Sequence, residues 1–277
     1  PVNVISSTND AYIDLNTTAG SLMGEDAGAV FGIVTGADGT NVTGIYLHNT
    51  QLWISAVSHV TLDNISAIVE EQRVGSGLGQ TSIRNNATYI TLKNSHISTT
   101  NNGGSSSVVL AWADHCTIEN NTIEGIGNVG NIFYLTTYNL NNEPPEGVIP
   151  NSNNIIRNNR ITGPATAATI CYGMCLTGHN NTVDNNTITY SGTGITSQWG
   201  NSNLNNTIIT NNKILGGASF IGTSFANTTY ANNTFTGSIA FGSDKIENQV
   251  FGNNTITFTG SEVTNCTING VCTLTNA

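Results

Sequence analysis

Charged side chains are scarce in this sequence. They make up 9% of the 277 residues, against roughly 25% in an average domain, and only seven are lysine or arginine. The formal net charge of −10 argues against a nucleic-acid partner, because binding to phosphate backbones depends on those two residue types. Long apolar runs are lacking too: nothing approaches the ~20 residues of a membrane-spanning helix, so we expect no membrane span.

Asparagine takes the place of the missing charge. The chain holds 42 Asn and 30 Gly, with many Thr and Ser. Polarity without charge is compatible with disorder, but the hydrophobic fraction of 38% and the regular spacing described next favour a folded β structure. No signal-peptide pattern begins at Pro1, and we expect the chain to start at a processed N-terminus.

A six-residue pattern recurs along the chain: an apolar residue, a variable one, Asn, usually a second Asn, a small or polar residue, and an apolar one. Good copies begin at residues 118, 156, 183, 209, 230 and 251, and looser ones at 47, 62, 92 and 263. The third-position residues are Asn49, Asn64, Asn94, Asn120, Asn158, Asn185, Asn211, Asn232, Asn253 and Asn265. From Asn94 to Asn253 they are 26, 38, 27, 26, 21 and 21 residues apart, and such periods indicate a solenoid.

Each copy predicts a short strand, a turn at the Asn pair and a second short strand. Asn tolerates left-handed backbone conformations, which suits it to the turn. Units of this length must stack, about 4.8 Å apart, to bury their apolar side. We therefore predict that the third-position amides form a buried hydrogen-bonded ladder. Its members are Asn94, Asn120, Asn158, Asn185, Asn211, Asn232 and Asn253.

The second position of the repeat alternates in charge. Five successive copies carry Asp63, Lys93, Glu119, Arg157 and Asp184. If the copies stack, these side chains become neighbours of opposite sign, each pair contributing roughly 0.2–1 kcal/mol.

The fold class predicted is all-β, a single-stranded parallel β-helix with an irregular N-terminal cap and C-terminal strands. Residues 1–44 form N-terminal strands and a cap, residues 45–260 the coils, and residues 261–277 a C-terminal cap or assembly strand. A loop insertion near residues 125–152 accounts for the 38-residue step and carries Tyr134 and Tyr138.

The five cysteines leave several pairings open. Local bridges Cys171–Cys175 and Cys266–Cys272 are one arrangement, and they leave Cys116 over. Cys116 is then either a small buried residue or, like the others, a candidate for a bridge to a neighbouring molecule.

Twelve Asn-x-Ser/Thr sequons occur, and in a repeat rich in Asn and Thr most of them are expected from composition alone. If the ladder is buried, its members cannot carry glycans. Asn16, Asn41, Asn86 and Asn227, which lie outside it, are the glycosylation candidates.

The repeat resembles that of right-handed parallel β-helix proteins of the pectate-lyase-like superfold, over roughly residues 45–268. It looks most like the repeats of cell-surface adhesin-like and envelope proteins of methanogenic archaea, including tubular sheath proteins. The resemblance implies an extracellular location, and it extends to lyases, hydrolases and phage fibres, which share the superfold.

We predict that the protein is not an enzyme and holds no cofactor or metal. The acids are scattered, and the histidines lack metal-ligand spacing. His115, after Asp114, is a conceivable base, but we interpret this pair as surface structure. Trp53, Trp112, Trp199, Tyr134 and Tyr138 are candidates for stacking on sugars, with a core or cap role favoured for Trp53 and Trp112.

The leading functional hypothesis is a secreted structural protein whose copies assemble into a cell-envelope sheath, surface layer or fibre. It rests on the nearly uncharged tail, where Glu262 is the single charged residue after Gly260. The alternative is a cell-surface adhesin or carbohydrate-binding β-helix that uses the 125–152 loop, with surface glycans as partners. A polysaccharide lyase or hydrolase is the third hypothesis.

Overall fold

Successive copies of the repeat stack as parallel strands in the computed structural model, and every strand pair is parallel. It describes residues 3–5, 11–14, 30–70, 81–101, 106–127, 131–136, 151–164, 172–197, 204–221, 228–235, 239–242, 245–247, 250–251, 255–258, 262–265, 267–268 and 273–276. Within these ranges there is no helix, and consequently none that could cross a membrane. The chain is a parallel β-helix, as the sequence predicts.

The first face of the coil is a nine-stranded sheet of three-residue strands in chain order. From the third of these strands onward, each ends on the residue before a turn Asn. The strands are β1 (Asn3–Ile5), β4 (Asn41–Thr43), β7 (Thr61–Asp63), β10 (Thr91–Lys93), β13 (Thr117–Glu119), β16 (Ile155–Arg157), β19 (Thr182–Asp184), β21 (Ile208–Thr210) and β23 (Thr229–Ala231).

The second face follows the turn. Its strands are β2 (Ala11–Asp14), β5 (Ile45–His48), β8 (Ser66–Val69), β11 (His96–Asn101), β14 (Thr122–Gly127), β17 (Arg160–Thr162), the first parts of β20 (Thr187–Thr196) and β22 (Lys213–Ile221), and β24 (Thr234–Phe235).

The third face closes the coil. It contains β3 (Val30–Ile33), β6 (Gln51–Ser55), β9 (Thr81–Thr88), β12 (Val108–Asp114), β15 (Asn131–Thr136), β18 (Tyr172–Cys175), the last parts of β20 and β22, β25 (Ile239–Gly242), β28 (Thr255–Phe258) and β31 (Thr273–Asn276). Because β20 and β22 run across both faces, the second and third faces form one 18-stranded sheet.

The coils extend beyond the predicted range of 45–260 at both ends. At the N-terminal end, β1 pairs with β4 and β2 pairs with β5. The looser copy predicted at residues 47–52 does not sit at the turn, because β4 aligns with β7 and Gly44 occupies the turn position with a φ of 70°. Asn49 instead lies between β5 and β6, where its side-chain oxygen accepts a hydrogen bond from the Glu70 N–H at 3.0 Å.

The copy at residues 263–268 lies where predicted, but the copy before it uses a different register from the predicted one. β26 (Lys245–Glu247) pairs with β29 (Glu262–Thr264), and β27 (Val250–Phe251) pairs with β30 (Thr267–Ile268). Ile246 and Phe251 are therefore the apolar ends of this copy, which reads Ile-Glu-Asn-Gln-Val-Phe. The predicted copy at residues 251–256 is wrong, because Ile256 belongs to the third face and pairs with Ile239. Asn253 lies outside the described residues.

The core is a single column of stacked apolar side chains along the coil axis. On the first face it comprises the middle residue of each strand from β4 onward, all at most 4% exposed: Val42, Leu62, Leu92, Ile118, Ile156, Val183, Ile209 and Tyr230. Alternation along each strand then sends the flanking residues outward, which positions the surface columns described next.

Candidate functional site

The turn between the first and second faces is made by the third-position Asn residues. Asn158, for example, has a φ of 57°, in the left-handed region that Asn tolerates better than most residues. Its side chain is exposed, as are those of the other turn residues. We name this edge the turn corner: Asn64, Asn94, Asn120, Asn158, Asn185, Asn211 and Asn232.

The buried ladder lies one residue later than predicted. Both the backbone N–H and the side-chain Nδ2 of Asn121 donate to Oδ1 of Asn159, at 3.0 and 3.1 Å. Asn159 makes the same pair of bonds to Asn186, at 3.0 and 3.0 Å. The ladder continues through Asn212 to Asn233. The assignment of third-position residues to the ladder is therefore corrected: the left-handed turn projects each of them outward and points the following side chain into the coil.

A second, shorter amide ladder occupies the corner between the third and first faces. Asn154 donates from N and Nδ2 to Oδ1 of Asn181, at 3.0 and 3.2 Å, and its own Oδ1 accepts from the Cys116 N–H at 2.9 Å. Both asparagines are fully buried. These contacts are structural, and they fix the backbone that carries the neighbouring exposed residues.

The predicted charge column is confirmed in register, and two of its four neighbouring pairs form ion pairs. Lys93 aligns with Asp63 and Glu119, and Arg157 with Glu119 and Asp184. Lys93 Nζ lies 3.4 Å from Asp63, and Arg157 Nη2 lies 2.6 Å from Glu119. The described charges of this column are thus largely neutralised by one another.

Three aromatic rings form an exposed row at the corner where the chain enters the first face. Tyr89 stacks on His59 with ring centroids 4.9 Å apart and on His115 with centroids 4.8 Å apart. The planes are inclined by 16° and 25°. Tyr89 is 49% exposed, which is unusual for so large a side chain in a folded domain. We name His59, Tyr89 and His115 the ring row.

Backbone geometry holds the ring row in place. All three residues adopt a left-handed φ, between 54° and 58°. The N–H of each donates to the carbonyl of the next coil, as from Tyr89 to Asp114 at 3.1 Å. The spacing of the rings is therefore the spacing of the coils, and the row runs parallel to the solenoid axis.

Two carboxylates flank the ring row. Asp114 Oδ2 lies 2.7 Å from Nδ1 of His115, while its Oδ1 accepts a hydrogen bond from Nδ2 of Asn153 at 3.0 Å. Asp38 Oδ1 accepts from the backbone N–H of Ser58 at 2.6 Å and from its hydroxyl at 2.9 Å. The pKa of Asp38 is lowered, mainly by the Ser58 backbone bond. The row therefore presents apolar rings between hydrogen-bonding groups.

The sequence contained a signal for the ring row. His59, Tyr89 and His115 are 30 and 26 residues apart, as are Asn64, Asn94 and Asn120, so each ring precedes a turn Asn by five residues. A search for a recurring residue type does not detect this signal, because the position holds both His and Tyr. What these residues share is an aromatic ring that can stack on its neighbour.

The residues predicted to stack on sugars are not part of the ring row. Those that the structure describes lie on the outer side of the third face. Trp112 is 4% exposed and packs with Val109, Ala111 and half-buried Tyr134 in a small cluster apart from the main core. Trp53 lies beneath Arg84, with Cζ 4.8 Å from the ring centroid. Burial lowers the pKa of Arg84. Trp199 and Tyr138 fall outside the described residues.

Two of the five cysteines, Cys116 and Cys175, lie within the described residues. Cys116 is buried and reduced, and its thiol contacts the carbonyl of Asp114 at 3.5 Å. Burial raises its pKa to about 12. Its 0% exposure favours the alternative in which Cys116 is a small core residue. Cys175 is buried as well. Its predicted partner Cys171 lies outside the described residues, as do Cys266 and Cys272.

Two of the four predicted glycosylation candidates can be located. Asn41 and Asn86 are exposed, whereas Asn16 and Asn227 lie outside the described residues. Among the described residues, no three His, Cys, Asp or Glu side chains lie close enough to hold a metal ion.

Comparison with known proteins identifies the fold. No protein-family model matches the chain, and no curated protein sequence matches it. Two solved structures of PfbA, a surface protein and adhesin of Streptococcus pneumoniae, match at 11% identity. One covers 98% of this chain and 82% of PfbA with a TM-score of 0.57, and the other covers 90% and 80% with a TM-score of 0.52. The archaeal relationship and the assembly of copies into a sheath stay predictions.

Enzymes are also among the similar solved structures. The catalytic unit of the GH87 α-1,3-glucanase of Streptomyces thermodiastaticus strain HF3-3 matches at 14% identity and a TM-score of 0.44, covering 91% of this chain and 50% of the glucanase. A DFA-IIIase, a tailspike depolymerase of capsular polysaccharide and an alginate lyase match at TM-scores of 0.44 to 0.46. These findings contradict the prediction that the protein is not an enzyme.

Proposed function

We propose that this chain is an extracellular, cell-surface β-helix that binds polysaccharide along the ring row. The observation that carries the proposal is the exposed stack of His59, Tyr89 and His115. The fold it shares with the PfbA adhesin is consistent with such a role. A surface location would also suit a chain whose exposed turn corner is a column of Asn.

The chemistry of the row fits a sugar better than a purely apolar ligand. The rings stack on one another, so their edges and the outermost faces remain for a ligand. The outermost ring faces can bind the C–H surfaces of sugars, and Tyr and His add polar atoms at the exposed ring edges. Asp38 lies exposed beside the row and can accept hydrogen bonds from hydroxyl groups, whereas Asp114 is 9% exposed and already bonded to His115 and Asn153.

The shape of the row favours an extended ligand. Three rings in line, each one coil apart, form a ribbon along the axis and not an enclosed pocket. The acidic protein, with a net charge of −10, would repel strongly anionic chains. Neutral or amino-sugar polysaccharides are therefore the proposed ligand class.

Glycan-array binding with Tyr89→Ala tests the proposal. We expect at least a tenfold loss of affinity, since the central ring supports both neighbours. Ile126→Ala is the matched control, because Ile126 is 51% exposed and lies on another face. Equal binding by the two variants would refute the ring row as the binding surface.

A second candidate is a carbohydrate-active enzyme that uses the same corner. The Asp114–His115 contact of 2.7 Å orients the imidazole, and a histidine held in this way can accept a proton. Incubation with neutral polysaccharides, followed by measurement of new reducing ends, tests this candidate. Activity that is lost in both His115→Ala and Asp114→Asn would support it, whereas activity retained by both would exclude this corner.

A further inference from the structure

The turn corner contains glycosylation sequons in every second coil. Asn64, Asn120, Asn185 and Asn232 are each followed two residues later by Ser or Thr, the requirement for N-glycosylation. The intervening Asn94, Asn158 and Asn211 are not. All seven are exposed, so burial does not prevent these residues from carrying glycans.

The first residues of the second-face strands show the same alternation. Where one coil has the sequon hydroxyl, the next has a basic residue: Thr122 aligns with His96 on one side and Arg160 on the other. The same order continues through the paired strands that contain Thr187, Lys213 and Thr234. We name the two kinds sequon coils and basic coils.

Charge pairing follows the same two-coil period over five of the seven coils, from Asp63 to Asp184. Sequon coils carry Asp63, Glu119 and Asp184 just before the turn, while basic coils carry Lys93 and Arg157 there. Opposite charges on adjacent coils attract, whereas like charges would be destabilising. The sequence therefore repeats over pairs of coils, and each pair contains one sequon.

The amide groups differ between the two kinds of coil. In basic coils, Nδ2 of Asn94 donates to Asp63 at 2.8 Å and Nδ2 of Asn211 donates to Asp184 at 2.7 Å. In sequon coils, the side chains of Asn64 and Asn120 make no hydrogen bond among the described residues. Asn185 and Asn158 are exceptions to this difference, because Asn185 of a sequon coil donates to the exposed Asn158 of a basic coil at 2.8 Å, a bond that water can replace. The nitrogen to be modified is thus accessible where the sequon occurs.

We propose that the turn corner carries a row of N-linked glycans on Asn64, Asn120, Asn185 and Asn232, one for each pair of coils. This inference rests on the proposed extracellular location. Neighbouring glycans would stand about 9.6 Å apart, twice the strand spacing of about 4.8 Å. If every coil carried a glycan, neighbouring glycans would be separated by a single strand spacing, which is too close for such bulky substituents. The ring row on the other edge of the first face would remain uncovered.

The modification needs an oligosaccharide donor in which the anomeric carbon is bound to a lipid-linked phosphate or diphosphate, with a transferase to catalyse the reaction. A bond forms between the Asn Nδ2 and the anomeric carbon as the bond from that carbon to the phosphate oxygen breaks. The phosphate leaves with the electron pair, and one amide proton is released to a base. No oxidation or reduction is involved.

Glycopeptide mass spectrometry on the full chain, secreted from a host with N-glycosylation, tests the row. Enzymatic release of the glycans converts each occupied Asn to Asp, which marks the site. We expect conversion at the four sequon-coil residues and none at Asn94, Asn158 or Asn211. Secreted protein without modification at the turn corner, or with modification at Asn41 and Asn86 alone, would overturn the proposed row of glycans but not the extracellular location. Protein retained in the cell and unmodified overturns both.

The spacing argument has its own test in Arg160→Thr, which completes a sequon at Asn158 between two occupied positions. We expect glycosylation at Asn158 to occur at the expense of Asn120 and Asn185. Arg160→Ala removes the same charge without creating a sequon and should leave both neighbours occupied. Full occupancy of Asn120, Asn158 and Asn185 on one molecule would overturn the spacing argument.

Discussion

The side-chain oxygen of Asn159 accepts two hydrogen bonds from Asn121, one from its backbone N–H and one from its amide, at 3.0 and 3.1 Å. Both residues are only 2% exposed. The side-chain nitrogen of Asn159 also donates to the Ile118 carbonyl at 2.9 Å. A single buried amide thus satisfies donors and acceptors on two coils, which explains why Asn recurs at this position.

Replacing Asn159 with Ala should destabilise the fold severely. The backbone N–H and amide of Asn121 would lose their acceptor, and each unsatisfied buried group costs about 1–3 kcal/mol. We expect a total loss of about 3 kcal/mol or more, measured by chemical denaturation. Asn158→Gly is the control, because glycine accepts the left-handed turn at this exposed position and should change stability by less than about 1 kcal/mol. The reverse order of effects would contradict the ladder assignment.

The difference between these two neighbouring residues shows what the sequence could predict. The repeat gave the turn, the parallel stacking and the vertical alignment, because these depend on the spacing of apolar residues and Asn. Which of the two asparagines faces inward depends on the left-handed φ of the first. In a sequence where both positions are Asn, composition cannot separate the buried amide of Asn159 from the exposed one of Asn158.

Reversing the charge of Arg157 should weaken the stack. Arg157→Glu would place an acid between Glu119 and Asp184, with which residue 157 aligns. Because Arg157 is 48% exposed, we expect a loss of only about 1 kcal/mol at low salt. The loss should shrink as added salt screens the repulsion. Arg157→Gln removes the attraction without adding repulsion and should have a smaller effect; a salt-independent loss would show that packing, not charge, is responsible.

Two features were not predicted from the sequence: the ring row and the register of the C-terminal coils. The row is invisible to a search for apolar periodicity, since His59 and His115 are polar and Tyr89 is exposed. The register failed because residues 246–256 contain two overlapping matches to the repeat, and the pairing of Phe251 with Ile268 selects the first. Strand pairing decided the register, and a single sequence does not contain it. The ring row follows from the five-residue offset to each turn Asn only once His and Tyr are compared as rings.

The Cys116 thiol should be inert in the folded protein. Since burial raises its pKa to about 12, almost none is thiolate near neutral pH. We expect no alkylation by iodoacetamide until the chain unfolds, as read by mass spectrometry at this site. Rapid alkylation of native protein, or a disulfide between copies through Cys116, would contradict its assignment to the core.

The same shift makes stability depend on alkaline pH. A folded pKa above the unfolded value means that folding favours the protonated thiol, so its contribution is complete below about pH 9 and is lost between pH 9 and about 12. Cys116→Val keeps an apolar side chain and removes the titration. The stability of wild type relative to this variant should therefore fall over that pH range, and parallel pH profiles would refute the shift.

Asp38 should titrate at lower pH than an ordinary aspartate. Its carboxylate accepts hydrogen bonds from the backbone and hydroxyl of Ser58, which precedes the ring row, and nearby His59 adds attraction. Because the folded pKa is lowered from 3.8, the stabilisation is present above that pH and lost as the pH falls through the folded value. NMR titration measures this pKa directly. Ser58→Ala should raise it only in part, since the backbone bond remains. Asp38→Asn keeps an acceptor without the charge, and should reduce the loss of thermal stability that wild type shows as the pH falls below 3.8. An identical loss in both proteins would mean that Asp38 does not stabilise this corner.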